Sequence, residues 1–135
     1  MPTVTVNRTL AAPAEKVWGI LRTFRLDYFP GYPHRLDGEG AGARRTFHLP
    51  EGEMTELIES LDEASMSLGY TIASGPWPVR EYHARIDVHP GEGRTCTVSW
   101  SAAFDSVESN PERISQIIES TFKMNLKALD IFLSA

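Results

Sequence analysis

Residues 79–89 and 95–104 alternate apolar and polar side chains almost without a break. In the first stretch Tyr82, Ala84, Ile86 and Val88 alternate with His83, Arg85, Asp87 and His89. In the second, Cys96, Val98, Trp100, Ala102 and Phe104 alternate with Thr95, Thr97, Ser99 and Ser101. A period of two marks strands whose two faces meet different surroundings. The run His89-Pro90-Gly91-Glu92-Gly93 between them turns the chain back, so they pair as an antiparallel hairpin with one apolar face. Such a sheet has to be covered on its dry side by another element.

The C-terminal stretch supplies the cover. Ser109-Asn110-Pro111-Glu112 offers an N-cap, a first-turn proline and capping-box geometry. From there Ile114, Ile117, Ile118, Phe122, Leu126, Leu129 and Leu133 hold one stripe. That stripe lasts about six turns at ~3.6 residues per turn.

The remaining elements are read in the same way. Residues 3–8 alternate with β-branched side chains and predict a strand. Ala12-Pro13-Ala14-Glu15 opens a helix, with proline and acid in the first turn, and Val17, Ile20, Leu21 and Phe24 give it one apolar face. The stretch 28–33, Tyr-Phe-Pro-Gly-Tyr-Pro, predicts a loop whose rings are shielded from water. Strands follow near 34–38, 43–48, 54–61 and 65–73. The expected fold is α+β: a seven-stranded antiparallel sheet, two short N-terminal helices and a long C-terminal helix on one face of the sheet.

At 135 residues the chain fits one domain, taken as 1–135, with a core large enough to need no staples. Cys96 is the sole cysteine, and His34, His48, His83 and His89 are scattered, so neither a disulfide nor a metal site is expected. A net charge of -5 excludes nucleic-acid binding as a reading, because phosphate contacts need concentrated Lys and Arg. With no long apolar run and no signal-peptide pattern, a soluble cytoplasmic protein without stable membrane insertion is expected. Spacing supports neither a nucleophilic triad nor a phosphate-cradling glycine loop, and no cofactor is expected.

Several segments stand in an order that resembles the START-like or Bet v 1-like (SRPBCC) superfamily, in its polyketide cyclase/dehydrase-like branch. They are Ala12-Pro13-Ala14-Glu15-Lys16-Val17-Trp18, the aromatic loop 28–33, Gly42-Ala43-Arg44-Arg45, Met54-Thr55-Glu56-Leu57, Leu61-Asp62-Glu63, Leu68-Gly69-Tyr70 and Val98-Ser99-Trp100. The resemblance implies a helix-grip fold, in which a strongly curved sheet grips the long helix around a deep cavity for lipids, polyketides or hormone-like molecules. It also implies a range of roles, from carriers to cyclases and dehydratases. A weaker similarity is to plant abscisic-acid receptors, where a latch and a gate close the cavity. Here Trp77 and Pro78 replace the latch's histidine and arginine, and the gate is reduced to Phe47-His48-Leu49-Pro50-Glu51-Gly52.

Candidate site residues follow from strand phase and this resemblance together. Arg44 and Arg45 are adjacent on a strand, so one points in and one out. The resemblance selects Arg45, to bind a ligand oxygen or to neutralise Glu56. Glu56 is in phase with Met54 and Ile58 and matches an acid that faces the cavity in the plant receptors; the alternative is a surface glutamate. The expected lining is Arg45, Glu56, Ile58, Tyr70, Ile72, Trp77, Val79, Tyr82, Ala84, Trp100, Ile117, Thr121 and Asn125. In the enzyme reading Arg45, Glu56 and Tyr82 would carry the catalysis. Trp18 is assigned to the core and His83 to the solvent face. The expected partner is a small apolar molecule.

Overall fold

The computed structural model describes residues 1–29 and 33–134. The elements in order are β1 (Thr3–Leu10), α1 (Ala14–Leu21), β2 (His34–Asp37), β3 (Arg44–Leu49), β4 (Gly52–Asp62), β5 (Ser67–Ser74), β6 (Val79–Pro90), β7 (Cys96–Ser106) and α2 (Pro111–Ser134). The strands form one antiparallel sheet in the order β1-β7-β6-β5-β4-β3-β2. Consecutive strands from β2 to β7 are neighbours, while β1 closes against β7, with Val6 opposite Trp100.

The alternation read from the sequence is the alternation of burial. Tyr82, Ala84, Ile86 and Val88 are buried, while His83 and Arg85 are exposed. In β7, Cys96, Val98, Trp100, Ala102 and Phe104 all face the core. Helix α2 covers this face with Ile114, Ile118, Phe122, Leu126 and Leu129, which are all buried. Its start is capped by Asn110, whose Oδ1 accepts the Glu112 N–H at 3.1 Å.

One N-terminal helix, α1, stands among the described residues where two were expected. The chain leaves it through tight turns, with Phe24 N–H donating to the Leu21 carbonyl at 3.0 Å, and Phe24 itself takes the left-handed conformation at φ 63. A bulky residue there cannot continue a helix. The expected aromatic loop falls partly on residues 30–32, which lie outside the described residues.

Curvature comes from irregular pairing. The register shifts between Thr55 and Glu56, between Ile58 and Ser60, and again between Arg80 and His83. Each extra residue bends and twists the strand that carries it. At the third site Glu81 adopts φ 51. The bulge reverses the phase of β6, so that Val79 is half-buried while Arg80 is exposed and Tyr82 turns inward.

Candidate functional site

The site starts with two neighbouring strands. Arg45 on β3 lies directly opposite Glu56 on β4, and both are buried, at 4% and 5% exposure. Arg45 donates twice to the same oxygen, Glu56 Oε1, from Nε at 3.0 Å and from Nη2 at 2.5 Å. Its Nη1 donates to the Phe24 carbonyl at 3.2 Å, and the Phe24 ring lies 3.9 Å below the guanidinium carbon. The left-handed Phe24 backbone thus presents both carbonyl and ring to one cation. Burial works against the Arg45 charge, but Glu56 foremost, then Tyr70 and Tyr28, outweigh it and hold its pKa above the ordinary value. Among the described residues Glu56 Oε2 takes part in no hydrogen bond. Arg44, by alternation, is exposed.

Next to this pair stand three ring systems with polar tips. Trp100 Nε1 donates to the Tyr70 hydroxyl at 2.9 Å, and the Trp100 ring stacks on Phe122 of α2 at 5.2 Å. Tyr82 packs against Tyr70, Trp77 and Phe104, with ring centres 6.1 to 6.5 Å apart. Its hydroxyl is buried and has no hydrogen-bond partner. Tyr70 is close enough to influence it, yet the two hydroxyls do not meet in hydrogen-bonding geometry. Burial foremost, then Tyr70 and Glu56, push the Tyr82 phenol well above its ordinary pKa, so it is a neutral donor across the physiological range. Burial likewise raises Tyr70.

Helix α2 closes the third side. Tyr28, from the segment after α1, is buried at 2% exposure and donates its hydroxyl to Asn125 Oδ1 at 3.1 Å. Asn125 Nδ2 donates to the Thr121 carbonyl at 2.9 Å, and the Thr121 hydroxyl to the Ile117 carbonyl at 2.8 Å. The polar interruption of the helix stripe therefore pins Tyr28 to the helix. Burial raises the Tyr28 pKa to about 12.

These groups enclose a cavity of about 40 Å³. Eight expected residues border it: Arg45, Glu56, Tyr70, Trp77, Tyr82, Trp100, Thr121 and Asn125. Five others do not. Ile58 and Ala84 are buried in the solid core, and Ile72, Val79 and Ile117 pack half-buried against it. They share the inward phase, but phase selects a face of the sheet and not a position along it. Leu26, Phe29, Phe47, Leu49 and Phe122 also border the cavity and were not among the expected lining, although the sequence put Phe29 in the shielded loop and Phe47 and Leu49 in the reduced gate. Phe47 and Phe122 stand on inward positions and were legible in principle; Leu26 and Phe29 lie in irregular chain with no period to read.

The resemblance implied a deep cavity, whereas 40 Å³ holds only water-sized molecules. A drug-sized ligand needs roughly 300 Å³ or more. The difference is side-chain volume: seven of the bordering residues are aromatic and fill the space between sheet and helix. Phe29, Leu49, Trp77, Thr121 and Asn125 are half-buried, while the other bordering residues are buried.

The other singled-out residues lie elsewhere. His83 is exposed and bonds Glu59 Oε1 at 2.8 Å. His48 is exposed, Cys96 is buried, and Trp18 is core with its Nε1 donating to Glu63 at 2.9 Å. The described residues contain no cluster of three metal-ligating side chains, and none of their helices is long and apolar enough to cross a membrane.

Solved structures share this fold. The chain is 29% identical to the abscisic acid receptor PYL7 of Arabidopsis thaliana over 94% of its own length and 66% of the receptor's, so it spans just under two thirds of that relative. The solved structure of the protein XoxI from Bacillus cereus is 28% identical with a TM-score of 0.87, covering 98% of this chain and 96% of that one. Norcoclaurine synthase from Thalictrum flavum, at 17% identity, shares the fold with a TM-score of 0.83, covering 98% of this chain and 86% of the synthase. The sequence pattern of the family described as "Polyketide cyclase / dehydrase and lipid transport" matches residues 1–129. With that match across nearly its whole length and a seven-stranded sheet wrapped on a long C-terminal helix, the chain belongs to this family, within the START-like (SRPBCC) superfamily.

Proposed function

We propose that this protein binds a small apolar molecule between the sheet and α2, as a carrier or sensor. The observation that carries the reading is the Tyr82 hydroxyl, a donor buried inside an aromatic wall with no partner of its own. An unsatisfied buried donor costs about 1–3 kcal/mol, and a bound oxygen atom recovers it. An apolar enclosure with a few convergent polar groups is the ordinary form of a ligand site. The similarity to a hormone receptor supports the sensor version.

Binding in this reading is an opening event. A cavity of 40 Å³ admits no ligand of useful size, so the half-buried Phe29, Leu49 and Trp77 swing aside and the ligand takes over their contacts with the inner rings. The pair Arg45–Glu56 and the link Tyr28–Asn125 stay fixed as the frame.

The rival reading is a cyclase or dehydratase that uses Arg45, Glu56 and Tyr82. The family description favours it. Against it, the raised Tyr82 phenol is a poor proton donor near neutral pH, and three of the five Arg45 N–H donors are already held by Glu56 and Phe24. The first experiment is native mass spectrometry of the purified protein with denaturing extraction, followed by titration with Nile red as a neutral apolar probe. A defined adduct or saturable fluorescence is expected. A bare protein with no saturable probe binding ends the binding reading and brings assays with polyketide-like substrates forward.

A further inference from the structure

We infer that the molecule accepted by this site is uncharged and flat, and that it presents a carbonyl or hydroxyl oxygen to the Tyr82 hydroxyl. The inference rests on the binding reading above and adds the chemistry of the ligand to it.

Charge is the first ground. Among the described residues the cavity wall holds one cation, Arg45, and one anion, Glu56, already bonded to each other. Three of the guanidinium contacts are committed, two to Glu56 Oε1 and one to the Phe24 carbonyl, and the Phe24 ring covers one of its faces. A ligand carboxylate would bring a second negative charge beside Glu56 with no matching cation. A ligand ammonium would bring a second positive charge beside Arg45. Either one loses its hydration without a partner to replace it. The wall also holds no lysine among the described residues, so it offers neither a flexible cation nor an amine for covalent attachment.

Hydrogen bonding is the second ground. The Tyr82 hydroxyl is the one buried side-chain polar atom among the described residues with no partner. As a neutral phenol it donates, which calls for an acceptor oxygen on the ligand. A ligand hydroxyl oxygen accepts from it as well. Shape is the third ground, because Tyr70, Trp77, Tyr82, Trp100 and Phe122 present rings, and flat molecules make the largest contact with rings.

The test uses naphthalene, naphthol, acetylnaphthalene and naphthoate, substituted at the same ring position and titrated calorimetrically into the wild-type protein and Tyr82→Phe at pH 7. Naphthol and acetylnaphthalene are expected to bind at least about tenfold more tightly than naphthoate. Tyr82→Phe is expected to weaken acetylnaphthalene by about tenfold, the worth of one good hydrogen bond, while naphthalene itself is unchanged. Naphthoate binding as tightly as the ketone, or a ketone indifferent to Tyr82→Phe, overturns the inference and leaves the binding reading standing. Failure of all four, naphthalene included, overturns both. Thermal melts of both proteins establish that Tyr82→Phe is folded, so a lost affinity reports the hydroxyl alone.

Discussion

Tyr82 carries a hydroxyl that the folded protein does not satisfy, and phenylalanine in its place keeps the ring while removing that burden. Tyr82→Phe is therefore expected to leave the ligand-free protein equally stable or more stable by about 1 kcal/mol, read from urea denaturation midpoints. A loss of stability of that size would show the hydroxyl to be bonded. A residue that costs stability while it waits for a ligand is the signature of a binding group. The Arg45–Glu56 pair behaves in the opposite way. Arg45→Met leaves a buried carboxylate unpaired and Glu56→Gln leaves a buried guanidinium unpaired, each expected to cost about 3–5 kcal/mol, with much of the loss recovered in Arg45→Met/Glu56→Met. Single-variant losses below about 1 kcal/mol would mean that water reaches the pair. Glu56→Gln consequently cannot separate catalysis from binding, because it disturbs the frame that both need; Tyr82→Phe can. The pair was partly legible in the sequence: alternation put one of two adjacent arginines inside and Glu56 in phase with Met54 and Ile58, and the family resemblance chose Arg45 and the inward Glu56. The Tyr28–Asn125 link was not, because a residue in irregular chain has no period that betrays where its ring goes.

Among the elements, α2 covers the sheet with a single buried stripe, Ile114, Ile118, Phe122, Leu126 and Leu129. Phe122 stacks on Trp100 at the cavity wall, and Phe122→Ala is expected to destabilise the protein by about 3–5 kcal/mol, whereas Ile131→Ala, at a side chain 62% exposed, should stay within about 0.5 kcal/mol. Comparable losses in the two variants, measured by thermal or urea unfolding, would mean that the exposed edge of the helix is covered in solution. The elements themselves were legible because their periods are long and clean: β6, β7 and α2 all lie where alternation and the helical stripe put them. Among the described residues the second N-terminal helix is absent: a single left-handed residue, Phe24, ends the helical path, and no propensity marks a phenylalanine for that conformation. The bulge at Glu81 is similarly silent in sequence, although it decides which way Tyr82 points.

For the molecule as a whole, the three buried tyrosines set a limit at high pH. Tyr28, Tyr70 and Tyr82 have folded pKa values above their ordinary 10.0, all raised first by burial. The unfolded chain loses these protons first, so the stability they contribute is complete below about pH 10 and declines as the pH rises towards 12, where Tyr28 itself ionises. With three groups the slope reaches about 4 kcal/mol per pH unit. Urea unfolding between neutral and strongly alkaline pH, with tyrosinate absorbance followed in parallel, is expected to show phenol ionisation and unfolding arriving together. Ionisation of these phenols in a still-folded protein near pH 10 would contradict their burial.

The closure of β1 on β7 also has a consequence for how the molecule is made. Strand β1 pairs along its whole length with β7, from Thr3 opposite Ala103 to Leu10 opposite Cys96. As the chain leaves the ribosome, its first strand stays without a mate until nearly every other strand has been synthesised. The hairpins from β2 to β7 can form in sequence meanwhile, each beside its predecessor. Through that interval β1 is a free edge, open to pairing with another nascent chain. Of this sheet's strands, the first in the chain is therefore paired only once the last has emerged.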